Sequence, residues 1–454
     1  MSTAVEIPSL PSSGLLGHSS RMASDPLGLF MDVVHNCGDI AQLRFGPVKA
    51  WCLSNPEYIE HVLVSQHARY RKDTRGYRKL RLTMGQGLVT SEGDFWLRQR
   101  RIAQPAFARK TLKGFAETMT ACTDEAVSRW SEAARAGQSL DMARELFTLT
   151  LKIAGLTLCN LDMTDEASRF GKAVDVVLER FLFLFTAPVP WPEYVPTPAT
   201  LAFWRANKVL KGTVEDIITQ RRASGAEHHD LLGMFMAATD EETGEGMSDR
   251  QLRDEALTML LAGHETTANA LAWTLHLLTQ HPEVARRIEA ELDTVLGADR
   301  RLPTLDDLKA LQYTTQVFKE SVRLFPPVWV LARRCIERDE IGGFTIEPGH
   351  YVFFSQWSMH RHPRLWQNPE RFDPDRFAPE APNPGRFLYF PFSRGRRQCI
   401  GDRFAEMEGV LLLAVMMSRL RFDGLSDDPV IPEPTVTLRP KGGLPMRLTE
   451  RAGD

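Results

Sequence analysis

The sequence lacks most of the features that would divide, export or anchor a chain of 454 residues. No Gly/Ser-rich linker, repeat or low-complexity tract interrupts it, so one large domain is expected rather than the roughly three that length alone suggests. Net charge is only −3, which leaves no global field to attract nucleic acid. Cysteines are few and scattered (Cys37, Cys52, Cys122, Cys159, Cys335, Cys399), without the rhythm of a disulfide framework; this argues for a reducing, cytoplasmic setting. Neither a basic start leading into an apolar core nor a run of about twenty apolar residues is present, so no signal peptide and no membrane anchor are expected. Residues 1–25 are polar and rich in Ser, Pro and Gly. They read as a flexible segment ahead of a domain at 26–454.

What is there is mostly helical periodicity. The apolar spacing predicts helices over Pro56–Val64, Gly93–Gln104, Ala116–Ala134, Ala143–Leu158, Asp165–Phe185 and Leu201–Ser224, then Asp249–Gln280, Pro282–Leu296, Tyr313–Leu324 and Asp402–Leu420. Short strands are expected near Ala41–Phe45, Ala50–Ser54, Phe344–Ile346 and Tyr351–Ser355, with a hairpin of Thr435–Leu438 and Pro445–Leu448. The fold class is therefore mostly α with small β-sheet regions.

The chemistry concentrates in Phe392-Ser-Arg-Gly395-Arg-Arg397-Gln-Cys399-Ile-Gly401. One cysteine sits between two glycines and leads into an apolar helix. A helix N-terminus favours a thiolate through unpaired N–H groups and its dipole, and the glycines let amides turn toward sulfur. A thiolate presented in this way suits the proximal position on haem iron. An inert buried cysteine is the bland alternative; a zinc site lacks a second Cys or His at ligand spacing. The spacing Phe-x-x-Gly-x-Arg-x-Cys-x-Gly resembles the haem-binding loop of the cytochrome P-450 family.

A second motif lies on the longest helix. Ser248-Asp-Arg-Gln251 is a capping box, and His281-Pro282 ends the helix about 32 residues later, roughly 48 Å at 1.5 Å per residue. Its middle is apolar on every side, yet it holds Ala262-Gly263-His264-Glu265-Thr266-Thr267. A mid-helix glycine costs about 1 kcal/mol relative to alanine, and threonine hydroxyls bond back to the previous turn. A kinked core helix with a satisfied Glu is the competing reading. The run resembles the family's oxygen-activation motif. That resemblance implies that Thr266 hydrogen-bonds dioxygen, that Glu265 connects it to solvent protons, and that Ala262 and Gly263 pack over the haem.

Further matches follow the same family pattern. Glu320-Ser-Val-Arg323 with Arg376 resembles its Glu-x-x-Arg plus Arg network, a structural element. Trp96-x-x-x-Arg100, Arg397 and Arg333 resemble its propionate-binding donors, with Arg334 an adjacent competitor. The loop residues Phe392, Gly395 and Gly401 shape the cofactor site. By family position the substrate wall comes from residues 72–88, 181–194, Ala262, 328–331 and 436–437, with Phe181, Phe185, Val328, Trp329, Val330, Val436 and Thr437 singled out. Apart from 72–88, which is rich in Lys and Arg, most of these are apolar, which suggests a fatty acid, terpenoid or polyketide-like substrate.

The resemblance implies a monomeric haem-thiolate monooxygenase carrying haem b. It would use O2 and NAD(P)H electrons delivered by a ferredoxin or flavodoxin with its reductase. The chain ends soon after the cysteine helix, so a fused flavin domain is not expected. Arg394, Arg396 and Arg403, with Arg98 and Arg101 nearby in sequence, offer a basic docking patch for an acidic partner. The alternatives are a peroxide-driven peroxygenase or haem isomerase, and a non-catalytic haem sensor or carrier. An intact Glu265-Thr266 pair counts against all of these.

Overall fold

A computed structural model describes residues 7–12, 14–163, 169–186, 193, 195–426 and 428–451. The central element is the helix Asp249–Gln280, 32 residues long. Ser248 and Gln251 cap it reciprocally, and it stops at His281 ahead of Pro282, which opens the helix Pro282–Leu296. Leu257, Leu261, Leu271 and Trp273 are all buried, so this helix runs through the core. Met142–Cys159, Pro198–Ser224, Gln312–Leu324 and Asp402–Arg419 pack against it.

The strands gather beside this helical layer. One sheet runs in spatial order Ile40–Phe45, Val48–Leu53, Tyr351–Phe354, Leu331–Cys335, Tyr70–Arg71. Val48–Leu53 and Tyr351–Phe354 pair in parallel across the length of the chain. The other pairings in this sheet are antiparallel.

One expectation is corrected. The C-terminal hairpin does not form: Pro445–Glu450 pairs instead with Leu420–Gly424 and with Ser139–Asp141. Pro432–Pro434 and Leu438–Pro440 make their own ribbon. The backbone chooses distant partners because they continue the edges of the helical core, a choice that local pattern does not encode. The described residues of the segment 1–25 are bonded to the first strand. Gln42 donates its amide to Pro8 O at 2.8 Å, and buried His18 bridges Leu10 O and the Arg44 amide at 3.1 Å each. Helices Ser19–Ser24 and Pro26–Asn36 follow, the second capped by Asp25 with proline in its first turn.

Candidate active site

Cys399 is placed by backbone geometry. Its amide donates to Phe392 O at 2.9 Å, closing the loop on itself. Gly395 lies at φ +73°, and a Cβ there would stand 2.2 Å from Leu63 O, so both its conformation and its closeness to the π-helical turn His61–Ser65 require glycine. Gly401 differs from expectation: at φ −95° it needs no conformational freedom, and it serves as the N-cap of Asp402–Arg419. The Cys399 thiol opens into a large cavity. Surrounding protein pushes its pKa up, while the Gly401 N–H, then Arg100 and Lys72, pull it down against Asp402.

The cavity has a volume of about 1200 Å³ and apolar walls. Ala262, Gly263, Glu265 and Thr266 of the central helix line it, as do Phe181, Val328, Trp329, Val330, Val436 and Thr437. A Cβ on Gly263 would meet no protein atom within 4 Å, so that face of the helix lies open to the cavity. The Phe185 side chain and wall residues 187–192 and 194 lie outside the described residues.

Cations collect at one edge. Arg397 stacks over the Trp96 indole at 4.0 Å, pairs with Glu92 at 2.7 Å and donates to Ser91 O at 2.6 Å. Arg100 donates to Gln398 O at 2.8 Å. The two arginine candidates separate clearly. Arg334 pairs with Asp73 at 3.2 Å, whereas Arg333 is 4 % exposed with Nη2 unpartnered. Arg397 Nη1 is likewise buried without a partner. Lys72 joins them: burial, then repulsion by Arg333 and Arg397, holds its pKa well below the ordinary lysine value. The sequence pattern had put Lys72 only in the substrate wall. Its clue was a lysine next to an Asp in a segment leading away from a strand, which is too weak a signal to assign.

Unpartnered buried guanidinium N–H groups beside an apolar cavity, with cations outnumbering the acids near them, are the environment that a flat apolar ring carrying two carboxylates would complete. With the Cys399 thiol facing the same cavity, the donor set fits haem. The second motif is also assembled. Thr266 donates to Ala262 O at 2.8 Å, one turn back. Glu265 is not directed to solvent: it is 6 % exposed and accepts from Thr437 Oγ1 at 2.7 Å. Burial raises its pKa, against smaller lowering effects of Thr437 and Arg439.

Behind the cysteine loop, Glu320 and Arg323 meet in a two-pronged pair at 2.7 and 2.9 Å with both side chains fully buried. Arg376 reaches the same carboxylate at 3.3 Å, and Arg323 also donates to the carbonyls of His360, Pro369 and Arg371. Of the surface arginines, Arg98 and Arg101 are committed to Glu245, Asp240 and Glu242. Of the five arginines expected to form the docking patch, Arg394, Arg396 and Arg403 have no acidic side-chain partner among the described residues.

Residues 7–446 match the cytochrome P450 family model, and the chain belongs to the cytochrome P-450 family. It is an oxidoreductase, a monooxygenase of that family. It is 35 % identical over 413 residues to cyclooctat-9-en-7-ol 5-monooxygenase of Streptomyces melanosporofaciens, covering 90 % of this chain and 87 % of that one. It is 34 % identical over 439 residues to pentalenene oxygenase of Streptomyces avermitilis, covering 96 % of each. The crystal structure of the cytochrome P450DA heme domain superposes with a TM-score of 0.90 at 29 % identity, covering 98 % of both chains. Family membership carries haem and O2 use with it. Among the described residues, no helix is long and apolar enough to cross a membrane.

Proposed function

We propose that this chain inserts one atom of O2 into a lipophilic, terpenoid-type substrate by hydroxylation or epoxidation, using NAD(P)H electrons relayed by a separate ferredoxin or flavodoxin. The observation that carries the reading is the Cys399 thiol opening on the apolar-walled cavity that Thr266 and Glu265 also line. The named terpenoid chemistry of two relatives supports the substrate class. Six unpaired cysteines suit a reducing cytoplasm.

Haem b held by Cys399 supplies reductive activation of dioxygen, a chemistry that thiolate donation favours. The chain's residues supply everything else. Lys72, Arg100, Arg333, Arg397 and the Trp96 indole hold the carboxylates of the cofactor. Ala262 and Gly263 present a smooth helix face to its ring, and Phe392, Gly395 and Gly401 shape the loop around the sulfur. Thr266 holds a proton at Oγ1. The Glu265 carboxyl, whose pKa burial raises, is the donor that replenishes it. Phe181, Val328, Trp329, Val330 and Val436 exclude water and orient the substrate, while Glu320, Arg323 and Arg376 keep the proximal side rigid.

The ferrous carbon-monoxide difference spectrum of the purified protein, beside Cys399→Ala, tests this reading. The strongly red-shifted Soret band of a thiolate complex is expected, and the variant should lose it. A spectrum typical of histidine ligation in both proteins would remove Cys399 as ligand.

A further inference from the structure

The central helix commits three side chains, each one turn beyond the last, to two consecutive residues of the C-terminal ribbon. Glu265 accepts from Thr437 Oγ1 at 2.7 Å, and Asn269 Nδ2 donates to that same oxygen at 3.0 Å. Trp273 Nε1 donates to Leu438 O at 3.0 Å. Spacing of four residues puts all three on one helix face.

A hydroxyl has one proton and two lone pairs. With Asn269 occupying a lone pair, the Thr437 proton is directed to the carboxylate side, so the chain runs Asn269 to Thr437 to Glu265. All three residues are less than one-tenth exposed, which makes each missing partner costly. Thr437 is fixed in turn: its carbonyl accepts from the Thr435 hydroxyl at 2.8 Å and from the Thr435 amide at 2.9 Å. We propose that Thr437, rather than serving as a substrate-wall residue alone, is the positioning residue that orients the Glu265 carboxyl beside the cavity. This rests on Glu265 being the proton donor named above.

The other charged groups around the acid leave Thr437 as its one direct hydrogen-bond donor among the interactions described. Arg439, on the same ribbon, is paired with Glu433 at 2.7 Å. On the cysteine helix, Glu408 is taken up by Thr267 at 2.8 Å. On the central helix itself, His264 is tied to Leu260 O at 2.6 Å.

The test compares Thr437→Val, Thr437→Ser and Glu265→Gln in the haem-loaded enzyme. In infrared spectra at mildly acidic pH, the protonated Glu265 carbonyl band is the one lost in Glu265→Gln. Thr437→Val should move that band to higher wavenumber and Thr437→Ser should leave it in place. Release of reducing equivalents as peroxide should rise about fivefold in Thr437→Val, the worth of one hydrogen bond, with rescue by serine. Removing the hydroxyl also removes a lowering influence on the acid. The alkaline loss of coupling should therefore shift to higher pH. An unmoved band in Thr437→Val overturns the proposal. A moved band together with normal coupling in Glu265→Gln upholds the positioning and overturns only the donor role. Should Thr437→Val fail to fold, Asn269→Ala must shift the same band, or the proposal falls.

Discussion

Thr267 donates its hydroxyl to the Glu408 carboxylate at 2.8 Å, a buried bond that ties the central helix to the helix following Cys399. Burial pushes the Glu408 carboxyl from 4.5 up to about 8, with Thr267 opposing. Between these values the folded chain keeps a proton that the unfolded chain has lost. Stability therefore falls as pH rises through that window, by up to about 1.4 kcal/mol per pH unit. Below the window the group contributes no slope, and above it the loss is complete. Glu408→Gln never ionises. Its melting temperature should match the parent at low pH and exceed it near pH 8; parallel curves would refute the argument.

Lys72, Arg333 and Arg397 repel one another in a buried corner. Lys72→Met relieves that repulsion, so the haem-free protein should melt at a higher temperature than its parent. The same change removes a donor from a bound dianion, and haem should dissociate about tenfold faster or more. Haem transfer to an acceptor globin measures the rate. An unchanged melting temperature with unchanged haem release would mean that Lys72 serves the wall alone.

Removing Glu320 strands the Arg323 guanidinium in a fully buried site, at a cost of about 3–5 kcal/mol. Arg376, whose side chain is 13 % exposed, should cost about 1 kcal/mol when changed to Gln. Urea unfolding of Glu320→Gln and Arg376→Gln gives the comparison. Equal losses would show that the outer arginine is no mere accessory.

Arg396 and Arg403 are exposed and unpaired with acids, unlike Arg98 and Arg101. Changing both to Gln should slow reduction by an acidic ferredoxin at low salt, and the difference should vanish as salt screens the encounter. Stopped-flow reduction at two salt concentrations reads this directly. Arg98→Gln serves as the control and should have no effect.

Much of this molecule was legible because its strongest signals are local. Ser248, Gln251, His281 and Pro282 bracket the central helix to the residue. The ten residues around Cys399 carry their own chemistry. The basic helix Arg75–Met84 was missed because its buried face is only Lys79, Leu80, Thr83 and Met84, too few apolar positions to make a period. Pro26–Asn36 was missed although Asp25-Pro26 is a proper helix start, because the polar stretch before it drew the reading toward disorder. The partners of Pro445–Glu450 and of Glu265 could not be read at all: Ser139–Asp141 and Thr437 lie hundreds or many tens of residues away, where only the packed core decides who meets.

The C-terminal ribbon carries two kinds of residue in alternation. Pro434, Thr435, Val436 and Thr437 all line the cavity, but the Thr435 and Thr437 hydroxyls also hold the ribbon and the Glu265 carboxyl. A lineage adapting to a new substrate can thus change the side chains at 434 and 436 without breaking a side-chain hydrogen bond, whereas a change at 435 or 437 breaks one as it reshapes the cavity. Libraries built to retarget this enzyme would do best to randomise the first pair and hold the second fixed.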